Sequence, residues 1–235
     1  MKRILPILLL LAAIGFAASP LFVTSFAGFD PTLFPVPQVD PPVQPAGYAF
    51  SIWSLIFAWL VVSAGFGLFF RAEDPRWQPM RPALLASLAM GIFWLALAER
   101  SAIGATLLIW AMLLTALVAL ARTSRQDRWL QQAPVAIYAG WLTAAASVSL
   151  GLLIAGWGWL EQTPAALVAL CVALALGIGM QLWLRRAPEY GLTIVWALVA
   201  VVVANIAPVN VPVAVLAALG VVLVGSVALT RGRAA

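Results

Sequence analysis

Eight acidic residues, one cysteine and no histidine are the whole stock from which this chain could build acid–base, nucleophilic or metal chemistry. The acids are Asp30, Asp40, Glu73, Asp74, Glu99, Asp127, Glu161 and Glu189, and none sits in the middle of a long apolar run. Proton relays and ion paths in membranes use ionisable groups held deep in a span, and none is deep here. The missing histidine removes the commonest general base and a common haem ligand. Cys171, alone within the sixth apolar run, allows no internal disulfide and no metal cluster; it reads as a small packing residue. P-loop, HExxH and GxSxG patterns are absent. These features point away from an enzyme and from any required cofactor or metal.

What remains is aromatic and small polar residues at helical spacing. Phe50, Trp53 and Phe57 recur at i, i+3 and i+7, on one helix face, with Tyr48 just before them. Tyr138, Trp141, Ala145 and Ser149 recur at i, i+3, i+7 and i+11, again one face. Trp94 lies in a third run and Trp196 in a seventh. The bilayer centre does not attract tryptophan, whose N–H seeks a partner. Deep indoles on several helices suit an aromatic-walled cavity. Spacing alone suits plain helix packing too, since Ala145-x-x-x-Ser149 is also a close-contact motif.

The elements that must position these residues are membrane spans. Hydrophobic residues make up 64% of the chain and charged residues 9%, with mean hydropathy +1.05. So few charges cannot clothe a water-soluble surface, so lipid is the main solvent. Runs that can cross the hydrocarbon core fall at about 4–27, 46–70, 82–99, 102–121, 133–155, 164–184, 190–206 and 210–230. They are long, lack alternation and are rich in Leu and Ala, which predicts helices, not strands. The expected fold is an all-α polytopic membrane bundle of about eight helices. Trp53, Trp94 and Ser149 each fall about five to seven residues, ~8–10 Å, from the outer ends of their runs. That common depth predicts a pocket in the outer half, between the second, third and fifth helices.

Every Lys and Arg except Arg100 falls on alternate connections together with the two termini. The positive-inside rule then places both termini in the cytoplasm. Net charge +5 follows from this bias and does not point to nucleic acid, because the basic residues are dispersed over five inner segments. Lys2-Arg3 and the apolar run ending at Gly15-Phe16-Ala17 also resemble a cleavable signal, but the run continues to Phe29, long enough to span. The outer segment 28–45 holds six prolines and should be extended. Its apolar residues lay it over the helix ends, as a lid on a pocket or as an inert cap. Glu99-Arg100 reads as an ion pair closing a tight hairpin or as part of a pocket mouth. Trp129, Trp157 and Trp159 read as interfacial anchors. Asn205–Asn210 predicts a tight outer turn. Helices six to eight carry few polar groups and should support the bundle; a second site around Trp196 and Asn205 is the rival.

The same residues carry a family resemblance. Pro45-Ala46-Gly47-Tyr48-Ala49-Phe50-Ser51-Ile52-Trp53-Ser54-Leu55-Ile56-Phe57 resembles the second-helix signature of the tryptophan-rich sensory protein family (TspO/MBR, the translocator or peripheral benzodiazepine receptor family). Tyr48 replaces its first Trp, Trp53 matches its second, and Phe57 stands where Tyr is usual. Ile137-Tyr138-Ala139-Gly140-Trp141, followed by Ala144-Ala145 and Val148-Ser149, resembles the fifth-helix signature, with Ile137 in place of Pro and Ser149 in place of Asn. Trp94-x-x-Leu97 is similar to the third-helix pattern. The resemblance covers residues 1–156, a five-helix membrane domain, and leaves 157–235 as a three-helix extension. It implies a receptor, sensor or transporter that binds a flat hydrophobic ligand, porphyrin-, haem- or sterol-like. The ligand-binding residues it implies are Tyr48, Phe50, Trp53, Phe57, Trp94, Tyr138, Trp141, Ala145 and Ser149. The alternatives are a membrane enzyme acting on a tetrapyrrole or lipid, and a structural membrane subunit. Lipid and the hydrophobic ligand are the expected partners, with a homodimer left open.

Overall fold

The computed structural model describes residues 3–23 and 28–231, and its regular elements are helices. These are α1 (Ile4–Ala18), α2 (Ile52–Phe69), α3 (Arg81–Ala98), α4 (Ala102–Ala121), α5 (Ala133–Gly156), α6 (Gln162–Leu184), α7 (Pro188–Ala204) and α8 (Val211–Arg231). Seven helices are long and apolar enough to cross a membrane; α7, at 17 residues, is shorter. The first span is shorter than the apolar run suggests. Its α-helix stops at Ala18 and a 3-10 turn, Ser19–Phe22, follows. Pro20 has no N–H for a further α-helical bond, and the Ser19 hydroxyl donates to the Phe16 carbonyl. The remainder of the expected span, residues 24–27, lies outside the described residues. Before α2, Gly47–Ser51 forms a 3-10 turn instead of the first α-helical turn.

Helix α5 is the axis of the molecule. With the π-helical turn Arg128–Gln132 ahead of it, 67% of its apolar stretch is buried, against 28–44% for the other long helices. Lipid gives helices no hydrophobic drive to associate, so close contact rests on small residues. Helix α5 supplies Ala136, Ala139, Gly140, Ala146, Ser147 and Gly151 as buried positions. Cys171 does not pack as expected: it is exposed, on the outward face of α6.

The arginine-rich connections converge at one end. The Asp127 carboxylate accepts Arg71 Nε at 2.9 Å and Trp77 Nε1 at 2.8 Å, tying the α2–α3 connection to the α4–α5 connection. Arg128 pairs with Glu189 of α7. Two further arginines satisfy carbonyls that helix ends leave open. Arg81, fully buried, donates to Gly67, Arg71 and Ala72 carbonyls at the end of α2. Arg186 donates to those of Leu120, Ala121 and Thr123 at the end of α4.

Arg71, and next to it Trp77, hold the Asp127 carboxyl below its ordinary value of 3.8. A depressed folded-state pKa stabilises the fold fully above the unfolded value, and that contribution is lost as pH falls through the folded one. Proteolysis of the connections 70–80 and 122–132 is therefore expected to speed up below about pH 4. Asp127→Asn should show the faster cleavage already at neutral pH; identical rates for the two proteins there would remove the clamp role.

At the opposite end the proline-rich segment is pinned down. Val36 N–H donates to the Gly156 carbonyl at 2.9 Å. Phe34 covers Gly156 so closely that a Cβ there would lie 2.2 Å from its ring. Residues 42–49 run along α7 through three bonds: Asn205 Nδ2 to the Pro42 carbonyl, Ala46 N–H to that of Ala200, and Trp196 Nε1 to that of Ala49. The side-chain N–H donors of the suspected second site, Trp196 Nε1 and Asn205 Nδ2, are thus engaged in holding this segment. The Asn205–Asn210 turn is tight, as expected, and closes with an Ile206–Val209 bridge.

Candidate functional site

A cavity of about 440 Å³ opens among α1 to α5, toward the end away from the arginine-rich connections and under the proline-rich segment. That volume lies in the range of small-molecule sites. Of the nine residues expected at a site, seven line it: Phe50, Trp53, Phe57, Trp94, Trp141, Ala145 and Ser149. Trp53 and Phe57 stack at 5.2 Å, one helical turn apart on α2. Trp141 meets Trp53 edge-on at 6.1 Å and Phe50 at 5.9 Å. The second, third and fifth helices thus surround one space, as the common depth of their tryptophan and serine residues predicts.

Two expected residues lie elsewhere. Tyr48 is 45% exposed and packs edge-on against Trp196 of α7 at 5.5 Å. The reason is its spacing: two residues before Phe50, position 48 falls off the face of Phe50 and Trp53 whether the chain winds at three or at 3.6 residues per turn. Tyr138 is fully buried beneath the cavity, outside its lining. Its hydroxyl is bonded to Ser87 Oγ at 2.8 Å, and Ser87 in turn donates to the Met112 carbonyl. Phe16 of α1 fills the place above it, with ring centroids 5.8 Å from Tyr138, 5.7 Å from Trp53 and 5.0 Å from Phe57.

Phe16 therefore forms the floor, and nothing in the sequence singled it out. Helix α1 is apolar all round, so periodicity marks no inward face. Gly91 of α3 makes room for the ring; a Cβ there would lie 2.7 Å from it. Ile109 and Met112 of α4 escaped notice for the same reason. Phe29, Gln44 and Pro45 of the proline-rich segment complete the wall, which settles the position of that segment over the cavity. Trp157 is less of an anchor than expected, since it packs under Phe34 at 6.0 Å. Trp129 and Trp159 are exposed at 59% and 71%. Glu99 and Arg100 are exposed and outside the lining.

The polar chemistry of the cavity is sparse. Among the described residues, no charged side chain lines it. Ser149 Oγ donates within its own helix to the Ala145 carbonyl at 2.9 Å, which leaves the oxygen as an acceptor. Trp94 Nε1 donates to the Ala105 carbonyl at 2.9 Å, joining α3 to α4. Trp141 is 2% exposed, and its Nε1 has no hydrogen-bond partner among the described residues. Such an arrangement can hold a flat apolar body between rings.

The family model described as TSPO-like protein matches residues 36–229, from the proline-rich segment through nearly all of α8. No curated protein and no solved structure matches the chain.

Proposed function

Because the chain belongs to the TSPO-like protein family, and is an integral membrane protein of that family, we propose that it is a non-enzymatic receptor, sensor or transporter for a flat hydrophobic ring system, porphyrin- or sterol-like. The observation that carries this reading is the cavity wall itself. Four helices, α1, α2, α3 and α5, bring rings to one space, and flat apolar ligands are held by such offset and edge-on contacts. The lining offers an iron no histidine, cysteine or carboxylate, and Met112 is its one sulfur. The reading is therefore of a ring held by stacking, without axial ligation. Titration of the protein in detergent with a fluorescent porphyrin ring is expected to quench tryptophan emission saturably, and an unlabelled polycycle should compete. Linear, non-competable quenching would leave only partition into the micelle and would end the proposal.

The bundle is read with its arginine-rich end in the cytoplasm, of a bacterial inner membrane, from the segregation of basic residues. Reporter fusions at Ala235 and within the proline-rich segment should report opposite sides, with the carboxy terminus inside. A carboxy terminus outside would overturn the orientation.

A further inference from the structure

We propose that the arginines gathered where α4 and α6 end form a site for the headgroup of an anionic phospholipid, which bridges α4 to the α6–α7 connection. The first observation is an uneven balance of charge at the arginine-rich end. On one side Arg71 pairs with Asp127 at 2.9 Å, Arg76 with Asp74 at 2.6 Å, and Arg128 with Glu189. On the other side Arg122, Arg125, Arg185 and Arg186 come together. Arg186 donates to the carbonyls of Ala121 and Thr123, the residues on either side of Arg122, and Arg185 precedes it in the chain. Burial first, and then the like charge of Arg125, lower the Arg186 pKa from its ordinary value. Among the described residues no carboxylate lies within 4 Å of Arg122, Arg185 or Arg186. The partial negative charge at the end of α4 is met by Arg186 and leaves the other cations unbalanced.

The donors are open as well. Arg122 is exposed, and its guanidinium has no partner among the described residues. Arg185 is exposed and makes one long bond, from Nε to the Leu182 carbonyl of its own helix at 3.4 Å. Guanidinium groups bind phosphate through paired N–H donors, and basic clusters between membrane helices take anionic headgroups. The second observation says why the anion is a lipid. Each open arginine ends an exposed apolar stripe. On α4, Leu114, Val118 and Arg122 follow at intervals of four, on one helix face, and both apolar residues are exposed. On α6, exposed Leu182 and Trp183 come just before Arg185, and an indole at a span end sits at headgroup depth. Both helices pack on α5. A phospholipid satisfies both features at once, with its phosphate on the arginines and its chains along the stripes. An acidic protein segment would match the charge alone.

The test titrates the full chain, stripped of lipid in a neutral detergent, with phosphatidylglycerol or with phosphatidylcholine of the same chains. Bound lipid is counted by native mass spectrometry and Tm is followed in parallel. Phosphatidylglycerol should bind in preference and raise Tm, and added salt should weaken both effects. Arg122→Gln and Arg185→Gln should each weaken that binding roughly fivefold, and together they should cancel the rise in Tm. Their lipid-free Tm should match that of the unaltered chain, because neither side chain ties two helices together. Arg76→Gln removes an exposed cation at the same end, held by Asp74, and should keep the full preference. Equal binding of the two lipids overturns the proposal. So does a preference for phosphatidylglycerol that survives in the double variant, or one that Arg76→Gln reduces as much as Arg122→Gln does. Inorganic phosphate or a glutamate-rich peptide that reproduces the rise in Tm would make the cluster a site for soluble anions and would overturn the lipid.

Discussion

Replacing Trp141 by alanine is expected to weaken ring binding roughly tenfold to a hundredfold, a loss of about 1.5–3 kcal/mol. Two contributions add in one direction. The variant removes an indole that meets Phe50 and Trp53 edge-on, and it takes away apolar area that a bound ring would cover. Trp129→Ala is the matched control. Trp129 stacks on Trp59 at 6.3 Å, with Arg128 over its face, at the arginine-rich end away from the cavity. Its loss should leave affinity unchanged. Ser149→Asn, on the cavity face of α5, should change which rings bind more than it changes stability, because an amide would then project where a hydroxyl now bonds back to its own helix. Unchanged helical circular dichroism is the condition for reading all three. Equal losses from Trp141→Ala and Trp129→Ala would mean that both tryptophans act through bundle stability, and the cavity would lose its standing as the site.

The second large effect is expected from a single methyl group. A Cβ on Gly140 would lie 2.5 Å from the Tyr190 carbonyl oxygen and 2.9 Å from Thr193 Cβ. The first of these is backbone, so Gly140→Ala cannot be absorbed by turning a side chain and must push α7 away from α5. Overpacking of this kind costs about 1–3 kcal/mol, seen as a lower Tm in detergent. Gly179→Ala, where nothing lies within 4 Å, should leave Tm unchanged or slightly raise it. The displacement should also reach the cavity, because α7 holds residues 42–49 through Trp196, Ala200 and Asn205, and Gln44 and Pro45 of that segment are cavity wall. Gly140→Ala should therefore lower ring affinity as well as Tm. If the two glycine variants melted together, the close approach of α5 and α7 would not limit stability.

How far the sequence reaches is decided by what kind of signal each feature leaves. Length and hydropathy determined the helices, because the cost of unpaired backbone in lipid leaves few other ways to cross it. The segregation of arginines already grouped the connections that meet at one end, although not that Arg81 and Arg186 cap α2 and α4 there. The faces of α2 and α5 were legible because aromatic and polar residues interrupt an otherwise uniform apolar pattern, and six cavity residues follow from them, with Trp94 of α3 the seventh. Phe16, Ile109 and Met112 were not legible: on an all-apolar helix every face is equally hydrophobic, and only the partner decides which one turns inward. Tertiary structure alone removed Tyr138 from the wall, because Phe16, seated against Gly91, covers it. Tyr48, two residues before Phe50, already lay off that face by helical spacing, and it packs on Trp196. The unpaired N–H of Trp141 belongs to the same class, since the absence of a partner is a property of everything packed around the indole and of no residue by itself.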